Sequence, residues 1–351
     1  MDEDCGKSTR GRANCDRMVN CKIYMGGLCM RLYPLKLKAP LKDYLWGGTK
    51  LKESYGKQTE LDKVAESWEL SCHKDGQSII INGEAAGMAL SEYIEAQGPE
   101  ILGDNAKRFP YFPLLIKLID ARDNLSVQVH PDDEYALRVE GEFGKTEMWY
   151  IVDCDPGASL LYGFKHEISQ EEFRRRIADN TLLDVCNRVP VKKGDVFFID
   201  AGTLHAIGKG ILIAEIQQNS NTTYRIYDYG RVGKDGQPRE LHVDKAIDVT
   251  RLAPPTKETA PAAKLQIFAD YQLQVLAQCD FFKVCHFNLQ GECRLMSGRD
   301  SFQAILVLEG EVVLLHENEK IKIQRGECVF IPAGMGGYSL SGQGEYILSQ
   351  V

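Results

Sequence analysis

The stretch Gly194-Asp195-Val196-Phe197-Phe198-Ile199-Asp200-Ala201-Gly202-Thr203-Leu204-His205 decides the reading of the chain. An apolar, β-prone run bounded by glycine turns predicts a short strand, a tight turn and a second strand that starts at a histidine. The pattern returns at Gly326-Glu327-Cys328-Val329-Phe330-Ile331-Pro332-Ala333-Gly334-Met335-Gly336-Gly337-Tyr338, offset by one residue at its end. The first copy carries the histidine and the second has lost it. A weak internal repeat thus ties two β-rich halves together.

Both copies resemble the second cupin motif, a strand, a turn and a strand that aims a metal-binding histidine into the mouth of a jelly-roll barrel. The surrounding sequence agrees. Val191–Ile199 and Gly210–Gln217 are β-rich runs between turn residues and read as strands of an antiparallel sheet system. Two stretches read as helices, Leu90–Gln97 and Ser169–Val185; in the second, Ser169 precedes Glu172 as a capping box and Phe173, Ile177 and Leu182 approximate an apolar stripe. Ala253–Ala263 holds three prolines and little to bury, so it reads as a linker. The predicted architecture is mostly β: a cupin jelly-roll barrel or sandwich with helical insertions over 32–252, the linker 253–263, and a smaller, degenerate cupin-like β domain without a metal site over 264–351.

Composition bounds the function. The chain has 351 residues, 44% hydrophobic and 26% charged, which is globular and excludes bulk disorder. A net charge of −8 argues against nucleic acid and anionic membrane as partners. Eleven scattered cysteines with no Cys-x-x-Cys read as reduced thiols in a cytoplasmic protein. No apolar run is long enough to span a bilayer. Residues 1–31 lack the apolar core of a secretion signal and read as a disordered or non-native leader.

The chemistry gathers in a few short stretches. In Leu125-Ser126-Val127-Gln128-Val129-His130-Pro131-Asp132-Asp133, the polar residues Ser126, Gln128 and His130 recur at period two and so share one strand face. An inward polar row must be satisfied by something, and a metal satisfies it. Glu147 opens an apolar strand and His205 supplies a second imidazole. His130, Glu147 and His205, with Gln128 as a possible oxygen ligand, leave room for water or substrate on zinc or on Fe(II). Gly144-Lys145-Thr146 lacks the earlier glycine of a phosphate loop, since position 139 is Val139. Glu215 follows His205 into the same barrel, and Arg225 suits anion binding or stabilisation of developing negative charge. The remaining histidines, among them His286 and His316, have no comparable partners in sequence and are assigned structural or surface roles.

Taken as a set, Trp46-Gly47-Gly48, Ala65-Glu66-Ser67-Trp68, Phe112–Lys117, Val127–Asp132, Gly144–Glu147, Gly202–Ala206 and Glu215–Arg225 resemble the mannose-6-phosphate isomerase family in its short bacterial form. The likeness runs in order from about Tyr33 to Val249 and is looser beyond. It implies a zinc-dependent aldose–ketose isomerase acting on a small sugar phosphate, with one Zn²⁺ per chain on His130, Glu147 and His205, and on Gln128 in part of the family. It implies that Arg225 is catalytic and that Trp46, Glu66, Lys117, Ser126, Lys145, Glu215 and Asn221 line the substrate cleft; the family often has aspartate at the place of Asn221. The reaction passes through an enediol, whose negative charge zinc and Arg225 can stabilise. Glu215 is the candidate proton carrier, with a metal-held water or a lysine as rivals. Lys117 and Lys145 are expected to attract the substrate phosphate. A cupin Fe(II) oxygenase and a non-catalytic sugar-binding cupin are the alternatives.

Overall fold

The structure is a computed structural model that describes residues 31–233, 236–256 and 259–351. The expected leader therefore lies outside the described residues, apart from Arg31. A six-stranded sheet runs in the spatial order Val196–Ile199, Glu147–Cys154, Ile211–Gln218, Leu114–Ala121, Glu66–Leu70, Leu41–Lys42. A five-stranded sheet runs Cys186–Pro190, Ser159–Phe164, His205–Ala206, Val127–Val129, Tyr224–Tyr227. Every pairing is antiparallel. An apolar cluster that includes Ile119, Trp149, Ile213, Leu160, Tyr162 and Ile207 fills the space between these two sheets. The result is the barrel expected of a cupin.

The three central strands of the six-stranded sheet are buried on both faces, which explains why they read as nearly continuous apolar runs. Alternation divides their side chains between two neighbours. Leu114, Ile116, Leu118, Met148, Tyr150, Val152, Leu212, Ala214 and Ile216 enter a core shared with the C-terminal part of the chain. Ile119, Ala121, Trp149, Ile151, Ile211 and Ile213 face the other way, into the barrel. Each fully buried aliphatic side chain in the shared core contributes about 1.5–3 kcal/mol.

The C-terminal part forms a ten-stranded sheet built on the long strands Gln303–His316 and Gly336–Gln350. That sheet also takes in Leu35–Lys38, whose residues Leu35 and Leu37 pair with Phe330 and Cys328. Sheet membership therefore does not follow the linear division at the linker. The internal repeat is real in backbone terms: Gly194 and Gly326 have φ of +91° and +82°, and Gly202 and Gly334 have φ of +85° and +77°. Both copies place a strand, Val196–Ile199 or Cys328–Ile331, between these left-handed turns. In the second copy Tyr338 is buried and donates its hydroxyl to Gln303 Oε1 at 2.7 Å. His316, expected to lie away from this strand, instead hydrogen-bonds the Gly337 carbonyl through Nδ1 at 3.0 Å. The antiparallel pairing of Gln303–His316 with Gly336–Gln350, separated from it by two strands along the chain, brings it there, and local spacing does not reveal that pairing.

The helix at Leu90–Gln97 forms as expected. The expected helix over 169–185 is shorter. It runs Gln170–Ala178, with Ser169 Oγ accepting from the Glu172 amide at 3.0 Å, and stops because Asn180 turns to φ +60°. Leu182–Asp184 is a separate 3-10 turn. Phe173 and Leu182 still share one cluster with Val127 and Val129, covering the outer face of the five-stranded sheet. All cysteines among the described residues are free thiols. Among the described residues no helix is long and apolar enough to cross a membrane.

Candidate active site

Cross-strand register assembles the site. His205 pairs with Gln128 and Gln128 with Arg225, so three neighbouring strands present one row of polar side chains. From the opposite sheet, Gln217 pairs with Glu147 and Glu215 with Lys117. The two rows converge. His130 and His205 bring their Nε2 atoms to 3.1 Å, and Glu147 places Oε1 at 3.4 Å from His205 and Oε2 at 3.8 Å from His130. Their ligand atoms all lie within 4.8 Å of one another. The Gln128 amide stands 3.3 Å from His205 Nε2.

The donor chemistry fits a divalent metal. His130 Nδ1 is 2.9 Å from the Thr222 carbonyl and His205 Nδ1 is 2.8 Å from the Thr203 carbonyl, so each Nδ1 carries the proton and each Nε2 presents a lone pair. Burial holds the His130 imidazole well below its ordinary pKa and pushes His205 down to about 4, which keeps both neutral. Glu147 is fully buried, and neither carboxylate oxygen accepts a hydrogen bond, although the Lys145 ammonium stands 2.7 Å from Oε2 as an ion-pair partner. Two imidazole lone pairs and a buried carboxylate whose ligand atoms all lie within 4.8 Å of one another suit a divalent cation.

Above this point opens a cleft of about 270 Å³. Trp46, Glu66, Lys117, Ser126, Gln128, Lys145, Glu215, Asn221 and Arg225 all line it, so the structure brings together every cleft residue expected from the sequence. His130, Glu147 and His205 are buried next to it, in contact with the lining residues Lys145 and Gln128. The lysines are not free. Lys117 lies 3.6 Å from Glu66 and 3.4 Å from Glu215, and Lys145 lies near Glu147, Glu215 and His130. Burial opposes the charge on Lys117, but Glu66 and Glu215 outweigh it and raise its pKa. Glu215 accepts from Trp149 Nε1 at 2.9 Å on Oε1, while its buried Oε2 has no hydrogen-bond partner. Burial raises the Glu215 carboxyl, yet Lys145 and Lys117 dominate and hold it ionised.

Tyr44, Thr223 and Arg239 also line the cleft and were not singled out from the sequence. Arg239 reaches it from the loop between Tyr227 and Val243, where no periodicity marks a direction. A larger cavity of about 690 Å³ lies between Ile94, Leu102, Phe109 and Tyr111. It is more apolar and holds no converging ligand set, so the smaller cleft is the candidate site.

Comparison with known proteins agrees with this geometry. The family described as phosphomannose isomerase type I, catalytic domain, matches residues 34–148, and that described as mannose-6-phosphate isomerase, cupin domain, matches residues 272–351. A probable mannose-6-phosphate isomerase of Bacillus subtilis is 39% identical over 324 residues, covering 90% of this chain and 99% of that protein. A mannose-6-phosphate isomerase of Streptococcus mutans is 39% identical over 278 residues, covering 79% of this chain and 85% of that protein. The crystal structure of the mannose 6-phosphate isomerase from Bacillus subtilis superposes with a TM-score of 0.84 at 34% identity, covering 91% of this chain and 99% of that one. With the fold, the ligand set and these relatives in agreement, the chain belongs to the type I mannose-6-phosphate isomerase family and is an isomerase.

Proposed function

We propose that the chain interconverts mannose 6-phosphate and fructose 6-phosphate through an enediol, with one zinc ion held by His130, Glu147 and His205 and with Gln128 as a further ligand. The observation that carries this reading is the pair of neutral imidazoles whose Nε2 atoms meet 3.1 Å apart beside the buried carboxylate of Glu147. Bound there, zinc would act as a Lewis acid toward the sugar oxygens. Glu215 Oε2, buried in the cleft wall and without a hydrogen-bond partner, takes the proton from C2 of the aldose and returns it to C1. The O2 proton moves to O1, so the carbonyl migrates from C1 to C2 and no external oxidant or reductant is needed. Lys117 remains an ammonium between Glu66 and Glu215 and serves to orient the carboxylates rather than to take the proton.

Arg225 is the catalytic cation. Its strand partner is Gln128, so its guanidinium faces the same end of the cleft as the metal ligands and can meet charge developing on the sugar oxygens. Trp46, Glu66, Ser126, Lys145 and Asn221 bind the sugar around it. Free thiols throughout the described chain suit a reducing cytoplasm. The test is a coupled assay on mannose 6-phosphate before chelation, after it, and after zinc is returned. Activity should vanish and recover; full turnover by metal-free protein would refute the reading.

A further inference from the structure

The larger cavity, of about 690 Å³, shares a wall with the cleft: Asn219 lines the one and Asn221 the other. Its volume is that of a site which buries a small organic molecule. Ile94, Leu102, Ala106, Phe109, Tyr111 and Phe112 supply an apolar lining, and Tyr111 is left 40% exposed. Two polar groups interrupt that lining. Asn219 is 6% exposed, and its buried Oδ1 has no hydrogen-bond partner. A carboxamide exchanges its two ends on a half-turn, so it can offer an occupant either an acceptor or a donor.

His73 is the second polar group. Burial keeps its imidazole below the ordinary pKa and neutral. Its Nδ1 accepts from the Asp75 amide at 3.1 Å, so the proton sits on Nε2, which lies 3.8 Å from Glu142 Oε2 and beyond hydrogen-bond distance. Charges at the rim are already matched: Lys74 pairs with Glu142 and Lys107 with Asp104, and Glu95 is exposed to water. The complementary occupant is therefore neutral, flat and mostly apolar, with an N–H beside a carbonyl.

The cavity wall is joined to the reacting centre at two places. Glu142 Oε2 accepts from Thr222 Oγ1 at 3.3 Å, and the Thr222 carbonyl stands 2.9 Å from His130 Nδ1. The His73 ring meets Trp68 edge-on at 5.8 Å, and Trp68 Nε1 donates to Glu66 Oε2 at 2.7 Å. These contacts hold His130 and Glu66 in place, and an occupant that draws Glu142 or His73 toward itself displaces them.

We propose that this cavity is an effector site for a neutral aromatic amide or lactam, and that its occupancy lowers turnover in the neighbouring cleft without competing for it. The inference rests on the isomerase reading only for the kinetic arm of its test.

The probe is 2-quinolinone, a fused-ring lactam, and its control is 1-methyl-2-quinolinone, which lacks only the N–H donor. An NMR titration of wild type should show one saturable site with a Kd of about 1 mM or tighter. The methylated control should bind about 3–10-fold more weakly. At saturating probe, kcat on mannose 6-phosphate should fall by about 2–30-fold, the range of coupling carried through packed contacts, with KM changed little. Ile94→Trp fills the cavity from the helix Leu90–Gln97 and should keep basal turnover while losing both probe binding and inhibition. Asn219→Leu removes the carboxamide and should weaken the probe to the level of its methylated control; it decides alone if the tryptophan variant does not fold. Absence of saturable binding, displacement of the probe by mannose 6-phosphate, unchanged affinity in the variants, or unchanged kcat at saturating probe each overturns the proposal. If wild type binds the probe, the variants do not, and wild type fails to turn over mannose 6-phosphate, the cavity stands and the isomerase reading fails instead.

Discussion

His130 and His205 face one another across two neighbouring strands with Nε2 atoms 3.1 Å apart, each locked in tautomer by a backbone carbonyl on its far side. Neither ring can turn away without losing that bond, so the site is shaped before any ion arrives. His130→Ala and His205→Ala should each remove bound zinc and turnover together, by about 10³-fold or more in activity. Elemental analysis beside the coupled assay checks this. A variant that loses the ion yet turns over normally contradicts it.

Arg225→Lys keeps the positive charge but not the planar fork. On the proposed role, in which the guanidinium meets charge that appears only during reaction, kcat should fall by about 10²-fold while KM changes little. Steady-state kinetics decides between this and a purely binding role, which would raise KM alone.

Gly202 joins the two imidazoles mechanically. Its amide donates to the His130 carbonyl at 2.8 Å, its φ is +85°, and a Cβ there would meet the Val249 carbonyl oxygen at 2.9 Å. Gly202→Ala should cost about 1–3 kcal/mol through left-handed strain and crowding, and it should lower zinc occupancy because His205 follows three residues on. Calorimetry and metal analysis read both effects. A melting temperature and zinc content equal to wild type would show that the turn relaxes freely.

Glu345 ties the C-terminal sheet to the back of the six-stranded sheet. It accepts from the Tyr150 hydroxyl at 2.6 Å and lies 2.8 Å from His286 Nε2. Burial opposes its ionisation, but these hydrogen bonds prevail and bring its pKa down to about 2 from 4.5. A depressed carboxylate stabilises the fold fully above its unfolded value and loses that contribution as pH falls toward 2. Wild type should therefore melt higher than Glu345→Gln near neutral pH, and the gap should close on acidification through about pH 4 to 2. A gap independent of pH would mean that the ionised form is not what stabilises the contact.

Tyr338 occupies the place in the second repeat that His205 holds in the first, and among the described residues no second cluster of three ligands accompanies it. Elemental analysis should find one tightly held zinc per chain. Tyr338→Phe should lower stability by about 1 kcal/mol through loss of the bond to Gln303 and leave turnover intact. Two zinc ions per chain after dialysis would overturn this.

Much of the cleft was legible in the sequence because strands write their faces at period two. Ser126, Gln128 and His130 could be placed on one face from spacing alone, and the strand Val127–Val129 does present them to a common space. Arg239 could not be found that way. It reaches the cleft from a loop, and the bond to Asp228 that aims it is a tertiary fact with no local pattern. The break in the helix after Ala178 was hidden as well: Phe173 and Leu182 reach the same apolar cluster, so the stripe ran on across a backbone reversal at Asn180. His316 came to Gly337 through the pairing of two strands that are not neighbours in sequence, which spacing does not encode.

The strand Leu35–Lys38 is held on one edge by Cys328–Ile331 and on the other by Ile79–Ile80. During synthesis Ile79–Ile80 follows it closely, while Cys328–Ile331 appears only after most of the intervening barrel has been made. The ten-stranded sheet therefore cannot close until Cys328–Ile331 has been made, and until then the apolar back of the six-stranded sheet, with Met148, Leu212 and Ile216, lacks the part of its cover that Leu306, Phe330 and Ile347 supply. Pairing over so great a chain separation makes folding slow and leaves that surface open to self-association. For a nascent chain, the hazard lies in the interval between completion of the barrel and arrival of Cys328–Ile331.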